Sequence, residues 1–127
     1  MDAGAEIRLP CEASAPRAAR RWLRQQLVVD PASSVGDLAE LLLTEVVTNV
    51  VVHARTASTV RLVEEGDVLC VEVEDGSSSP PRRPRPSGDE DESGRGVELL
   101  DALAQRWGWR RRPAGKVVWF CVVEPAA

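Results

Sequence analysis

The stretch 38–54 constrains the fold more than any other part of the chain. It holds no glycine or proline, and its only polar side chains are Glu40, Thr44, Glu45, Thr48, Asn49 and His53. Local preference is divided, because residues 38–45 favour helix whereas Val46, Val47, Val50, Val51 and Val52 are β-branched and favour strand. No turn signal interrupts the run and it is longer than an ordinary strand, so one long helix is expected. Such a helix is apolar nearly all round and must be buried against a sheet. On it Glu45, Asn49 and His53 recur in steps of four, each advancing about 40° around the axis. A carboxylate, an amide and an imidazole then share one stripe, and the first two could share one cation or one phosphate.

The rest of the chain bounds what that stripe can belong to. With 127 residues there is enough sequence for one domain with its own core, spanning 1–127, and too little for two. A net charge of -4 and a pI near 5.1 argue against nonspecific binding to nucleic acid or membranes. Basic residues are nearly all arginine, with Lys116 the only lysine, so the clusters at residues 17–24 and 110–112 are read as solvated faces. Cys11, Cys70 and Cys121 are odd in number and far apart, which suits buried thiols in a reducing cytoplasm better than a disulfide framework. One histidine leaves a His/Cys zinc site without nearby partners. Neither a signal peptide nor a membrane span is apparent, so a cytoplasmic location is expected.

Around the central helix, residues 6–9 suit a short edge strand. Ser14 followed by Pro16 suits the start of a helix reaching about Val28, with Ala15, Ala19, Trp22, Leu23 and Leu27 on one side. Ser33 or Ser34 can cap the long helix. Residues 59–64 and 68–74 read as strands joined by Glu65, Gly66 and Asp67 in a tight hairpin. Alternation puts Leu69, Val71, Val73 and Asp75 on one face, which delivers a carboxylate to the end of the apolar side. There it needs a hydrogen-bond donor to offset desolvation.

The segment 77–93 lacks a large apolar anchor and is rich in proline and serine, as expected of a mobile surface loop, and loops of that length often serve as lids. Gly94, Arg95 and Gly96 form a glycine-rich turn into a helix built on Val97, Leu99, Leu100 and Leu103, and a helix N-terminus can hold an anion. Two closing strands follow around a turn at residues 113–115, the last apolar on both faces and therefore central.

In order and spacing these signals resemble one family. The Glu45/Asn49/His53 helix resembles the N-box of the gyrase, histidine-kinase and anti-sigma serine-kinase (GHKL) ATPase superfamily. Val73, Glu74, Asp75 and Gly76 resemble its first glycine box, and Gly94, Arg95 and Gly96 its second. The stand-alone size and the pattern of Glu45, Asn49, His53 and Ala54 resemble the anti-sigma-factor serine/threonine kinase branch. The likeness spans about residues 17–123, with one departure: Asp75 and Gly76 are followed by Ser77, Ser78, Ser79 and Pro80, where a further glycine is usual.

The resemblance implies the Bergerat fold, a two-layer α/β sandwich with a mixed, mostly antiparallel sheet covered on one face by about three helices. It implies ATP and Mg2+ as cofactors, with Glu45 as general base, Asn49 on the metal and Asp75 on the adenine amino group. Gly76, Gly94, Arg95 and Gly96 would border the nucleotide, His53 would play a supporting part, and 77–93 would be the ATP lid. The partner would be an anti-sigma-factor antagonist that receives the γ-phosphate, or a sigma factor held directly, and a homodimer is among the arrangements allowed. The second reading is an ATP-binding switch with negligible transfer that acts by holding a protein partner.

Overall fold

The structure, a computed structural model, describes residues 4–27, 34–66, 68–81 and 95–123. Its elements run β1 (Glu6–Leu9), α1 (Ala15–Gln26), α2 (Ser34–Asn49), a π-helical turn (Val50–Ala54), β2 (Ser58–Glu65), β3 (Val68–Asp75), α3 (Arg95–Leu103), β4 (Arg106–Arg112) and β5 (Gly115–Val123). The five strands form one sheet in the order β1-β2-β3-β5-β4, and every neighbouring pair is antiparallel. The expected α/β architecture is thus present, with β5 an interior strand beside central β3. The hairpin between β2 and β3 closes at the pair Glu65 and Val68, and Gly66 takes φ +59°, the left-handed conformation that so short a connection demands.

Strand alternation divides the sheet into two faces. Val60, Leu62, Leu69, Val71, Val73, Val118, Phe120 and Val122 point to the helices, where they meet Leu23 of α1 and Leu42, Leu43, Val46 and Val47 of α2 in one core. Each such side chain contributes about 1.5–3 kcal/mol relative to exposure. The opposite face carries cross-strand ion pairs: Arg61 meets Glu6 at 2.9 Å and Glu74 at 2.9 Å, and Arg110 meets Glu72 at 3.3 Å. The arginines at 110–112 are therefore tied into the sheet, with Arg111 lying over the Trp109 ring at 5.1 Å.

Helix α1 buries Ala15, Ala19, Trp22 and Leu23, as its spacing predicts, and ends at Gln26 with Leu27 as its C-terminal flank. Ser14 makes no side-chain cap: its hydroxyl turns to Glu12 at 3.5 Å. Arg24 crosses to α2 and binds both Asp37, at 2.6 Å, and Glu40. Its hydrogen bond to Asp37 leads the effects that hold the guanidinium above its ordinary pKa, against the opposing effect of burial. One member of the expected solvated arginine face is thus a clamp between two helices. Ser33 lies outside the described residues, and α2 opens at Ser34.

The long helix departs from a single α-helical rod. It is α-helical to Asn49 and then widens into a π turn, closed by the Arg55 amide donating to the Val50 carbonyl at 2.7 Å, with Arg55 in the left-handed region at φ 56°. The conflict between helix and strand preference over Val50, Val51 and Val52 is resolved by a wider helix, not by a strand. Two buried-side hydroxyls are satisfied locally, Thr44 donating to the Glu40 carbonyl and Thr48 to the Thr44 carbonyl, each at 2.7 Å. Burial is also less complete than expected, since Leu41 and Val52 remain exposed.

The cysteine expectation is corrected. Cys70 and Cys121 are joined in a disulfide, 51 residues apart in sequence and directly opposite in the β3–β5 register. Cys11 is the free thiol among the three, and it is exposed. Sequence distance concealed the pair; register puts two side chains of the same sheet face side by side.

Candidate functional site

A cavity of about 210 Å³ opens between the end of the long helix, the C-terminal end of β3, the start of β5 and α3. Asn49 and His53 line it together with Val46, Val50 and Ala54. The π turn has a physical part in this. An i→i+5 turn advances fewer degrees per residue than an α turn, so His53 falls back toward the face of Asn49 and does not drift ahead of it. Glu45 is not part of the cavity wall; it sits one helical turn earlier, half-buried. Of the stripe read from the sequence, two members meet at the cavity and the carboxylate stands beyond it.

Asp75 is the buried end of the cavity. Its side chain is 1% exposed, and it finds the donors that its position demands: the Ser77 amide reaches Oδ1 at 2.8 Å, and the Lys116 ammonium sits 3.2 Å from Oδ1 and 3.0 Å from Oδ2. Lys116 faces Asp75 directly across the β3–β5 ladder and also lines the cavity. The sequence carried a signal for it. Lys116 shares strand parity with Val118, Phe120 and Val122, so alternation places it at the end of an apolar face, as it does Asp75.

Two further residues shape this corner. Gly76 donates its amide to Thr56 Oγ1 at 2.9 Å, which anchors the chain as it leaves β3. Gly115 opens β5 against the backbone of β3, where an added Cβ would lie 1.8 Å from the Asp75 carbonyl oxygen. Neither Thr56 nor Gly115 stands out in sequence, because both roles arise from contacts between distant segments.

The third wall comes from Val97 and Leu100 of α3, and from Ser77, Ser79, Pro80 and Pro81, the described beginning of the long loop. Gly94 and the remainder of that loop lie outside the described residues. Arg95 and Gly96 are the first two residues of α3, so the helix begins inside the glycine motif and not after it. The N-terminal part of α3 borders the cavity through Val97, and the start of a helix is electrostatically suited to an anion.

One polar atom here lacks a partner. Asn49 Oδ1 is buried without a hydrogen bond among the described residues, an arrangement that costs free energy unless something else supplies a positive charge or a donor. A hard oxygen donor of this kind suits Mg2+, which takes one or two protein oxygens and fills its shell from phosphates and water. The described residues hold no cluster of three or more His, Cys, Asp or Glu that could form an all-protein metal cage.

A family model described as the histidine kinase-like ATPase domain matches residues 10–122, from the end of β1 to the end of β5. The chain belongs to this family. Among relatives of the histidine kinase-like ATPase chain, an uncharacterized protein of Streptomyces coelicolor is 39% identical over 98 residues, 67% of this chain and 93% of the relative. In three dimensions, the RsbU and RsbW domains of Rv1364c from Mycobacterium tuberculosis superpose with a TM-score of 0.69 at 18% identity over 94% of this chain. The chain spans 32% of that larger protein, and the likeness is one of fold. The fold is that of a histidine kinase-like ATPase domain, with all strand pairs antiparallel. No helix among the described residues is long and apolar enough to cross a membrane.

Proposed function

We propose that this histidine kinase-like ATPase domain binds Mg-ATP and transfers the γ-phosphate to a serine or threonine of an antagonist protein, thereby controlling a sigma factor in the cytoplasm. The observation that carries the reading is the convergence on one cavity of Asp75, a buried carboxylate, and Asn49, whose buried amide oxygen has no partner among the described residues.

The residues divide the work by their chemistry. Asp75, ionised, is acceptor-only and so accepts a hydrogen bond from the adenine amino group. Asn49 Oδ1 would hold Mg2+, which would supply positive charge to offset that of the phosphates. The first turn of α3, including Arg95 and Gly96, presents amides to the phosphate side. His53 on the wall offers a further polar contact. Ser77, Ser79, Pro80 and Pro81 border the opening, and with the rest of 77–93 they would close over the nucleotide and exclude water. Glu45 would take the proton from the attacking hydroxyl as its oxygen bonds to the γ-phosphorus and ADP departs.

A second reading, an ATP-binding switch with negligible transfer, is favoured by two observations. Glu45 stands outside the cavity wall, and Asp75-Gly76 is followed by Ser77, Ser78 and Ser79 where a glycine would ease a close approach to phosphate. The two readings part in one experiment. Mg-ATP is titrated into the protein, and γ-phosphate transfer is then assayed on antagonist proteins encoded in the same genome. Binding with transfer supports the kinase, binding without transfer to any antagonist supports the switch, and no binding at millimolar nucleotide removes both.

A further inference from the structure

Lys116 shares the deepest part of the cavity with Asp75, and nothing in the roles described above uses it. Its side chain is 8% exposed, and the carboxylate beside it is 1% exposed. A pair so dry needs its remaining hydrogen-bonding capacity met, or it bears a desolvation penalty. Counting atoms shows what remains. An ionised carboxylate accepts about four hydrogen bonds; Asp75 Oδ1 takes the Ser77 amide and lies near Lys116 Nζ, while Oδ2 has Lys116 as its partner. Lysine has three donors, and Nζ faces only the two Asp75 oxygens among the described residues, so at least one N–H is left over. The cavity floor therefore presents a spare acceptor and a spare donor side by side.

That alternation matches one edge of adenine, where the exocyclic amino group donates and the adjacent ring nitrogen N1 accepts. We propose that Lys116 is a base-reading residue: its ammonium donates to adenine N1 while Asp75 accepts from the amino group of the same base. The inference rests on the ATP reading above and adds to it a second, cationic contact that sets base specificity. Asp75 alone would recognise any base that offers a hydrogen at that point. The pair demands a donor and an acceptor in fixed order, and the rigid β3–β5 ladder, with Asp75 and Lys116 in register, fixes their spacing.

The test compares ATP with its 1-deaza analogue, in which N1 is replaced by C–H, by calorimetric titration with magnesium. The wild-type protein should bind the analogue about ten- to a hundredfold more weakly, the cost of a lost hydrogen bond to a charged donor. In Lys116→Met that preference should shrink to within about threefold, and in Lys116→Arg, which keeps a cationic donor, most of it should persist. Because Lys116→Met leaves Asp75 unpaired and can unfold the sheet, the wild-type comparison and Lys116→Arg decide the matter if that variant is not soluble and folded by circular dichroism. Equal binding of ATP and the analogue by wild type overturns the role of Lys116 while leaving ATP binding intact. Discrimination that persists unchanged in a folded Lys116→Met also overturns it. Failure of ATP itself to bind removes the inference together with the reading beneath it.

Discussion

Gly115 sits so close beneath Asp75 that a Cβ at residue 115 would lie 1.8 Å from the Asp75 carbonyl oxygen and 2.8 Å from its carbonyl carbon. The obstacle is backbone, which cannot rotate aside as a side-chain tip can. Gly115→Ala must therefore separate the ends of β3 and β5, at a cost of about 2–4 kcal/mol. The same separation moves Asp75 from Lys116, so Mg-ATP affinity should fall along with the denaturation midpoint. Urea unfolding and a nucleotide titration on one preparation check both effects; a variant with unchanged stability contradicts the close approach.

Asn49 should behave in the opposite way. Its Oδ1 is buried without a partner among the described residues, so the folded protein gains little from it. Asn49→Ala should leave thermal stability within about 1 kcal/mol of wild type and yet weaken Mg-ATP binding at least tenfold. Thermal unfolding with and without Mg-ATP separates the two quantities, because only a protein that binds nucleotide is stabilised by it. A large loss of stability without ligand would assign Asn49 a structural role instead.

How far the sequence disclosed this site depends on the range of the interactions involved. Asp75 was legible because strand alternation is local: Leu69, Val71 and Val73 predict where the next side chain of that parity must point, and it is buried there. Lys116 obeys the same rule, but a lysine at a strand start reads as solvated until its partner across the ladder is known. The disulfide between Cys70 and Cys121 could not be read at all without the β3–β5 register. The π turn lay between these cases. The β-branched run over Val50, Val51 and Val52 signalled a conflict with α-helix, but only the packing around Arg55 and the cavity resolves it as a widened turn. Of the second glycine motif, the structure adds that Arg95 and Gly96 are already helical.

The disulfide should govern stability without governing the fold. Cys70 and Cys121 close a loop with a sequence separation of 51, and removing the link frees the unfolded chain, a loss of about 2–4 kcal/mol. The strands they join remain paired by a full ladder from Val68–Val123 to Asp75–Lys116. The double variant Cys70→Ala, Cys121→Ala should therefore keep the far-ultraviolet circular dichroism of wild type and unfold at lower denaturant. Thiol titration of unfolded, unreduced wild type should find Cys11 alone.

The Arg24 clamp makes a weaker claim, set by exposure. The guanidinium bridges Asp37 and Glu40 across α1 and α2, but Asp37 is 71% exposed and water screens its charge. Arg24→Ala should cost only about 1 kcal/mol, and less at molar salt. Denaturation at low and high ionic strength measures the difference; an effect that ignores salt would point to lost packing of the arginine side chain instead, whose guanidinium lies against Gly36.

Glu45 offers the sharpest separation of binding from chemistry, because it stands one turn before Asn49 and outside the cavity wall. A residue so placed adds little to nucleotide affinity but can take the proton from a hydroxyl that approaches from outside. Glu45→Gln preserves shape and removes the basic carboxylate, so Mg-ATP affinity should stay within about threefold of wild type while phosphate transfer falls by about 10²–10⁴. Calorimetry and a single-turnover transfer assay with saturating nucleotide read the two quantities independently. A joint fall in affinity and transfer would mean that Glu45 moves into the nucleotide site when the lid closes. Transfer that persists at the wild-type rate would remove Glu45 from the base role and leave the hydroxyl proton to another acceptor.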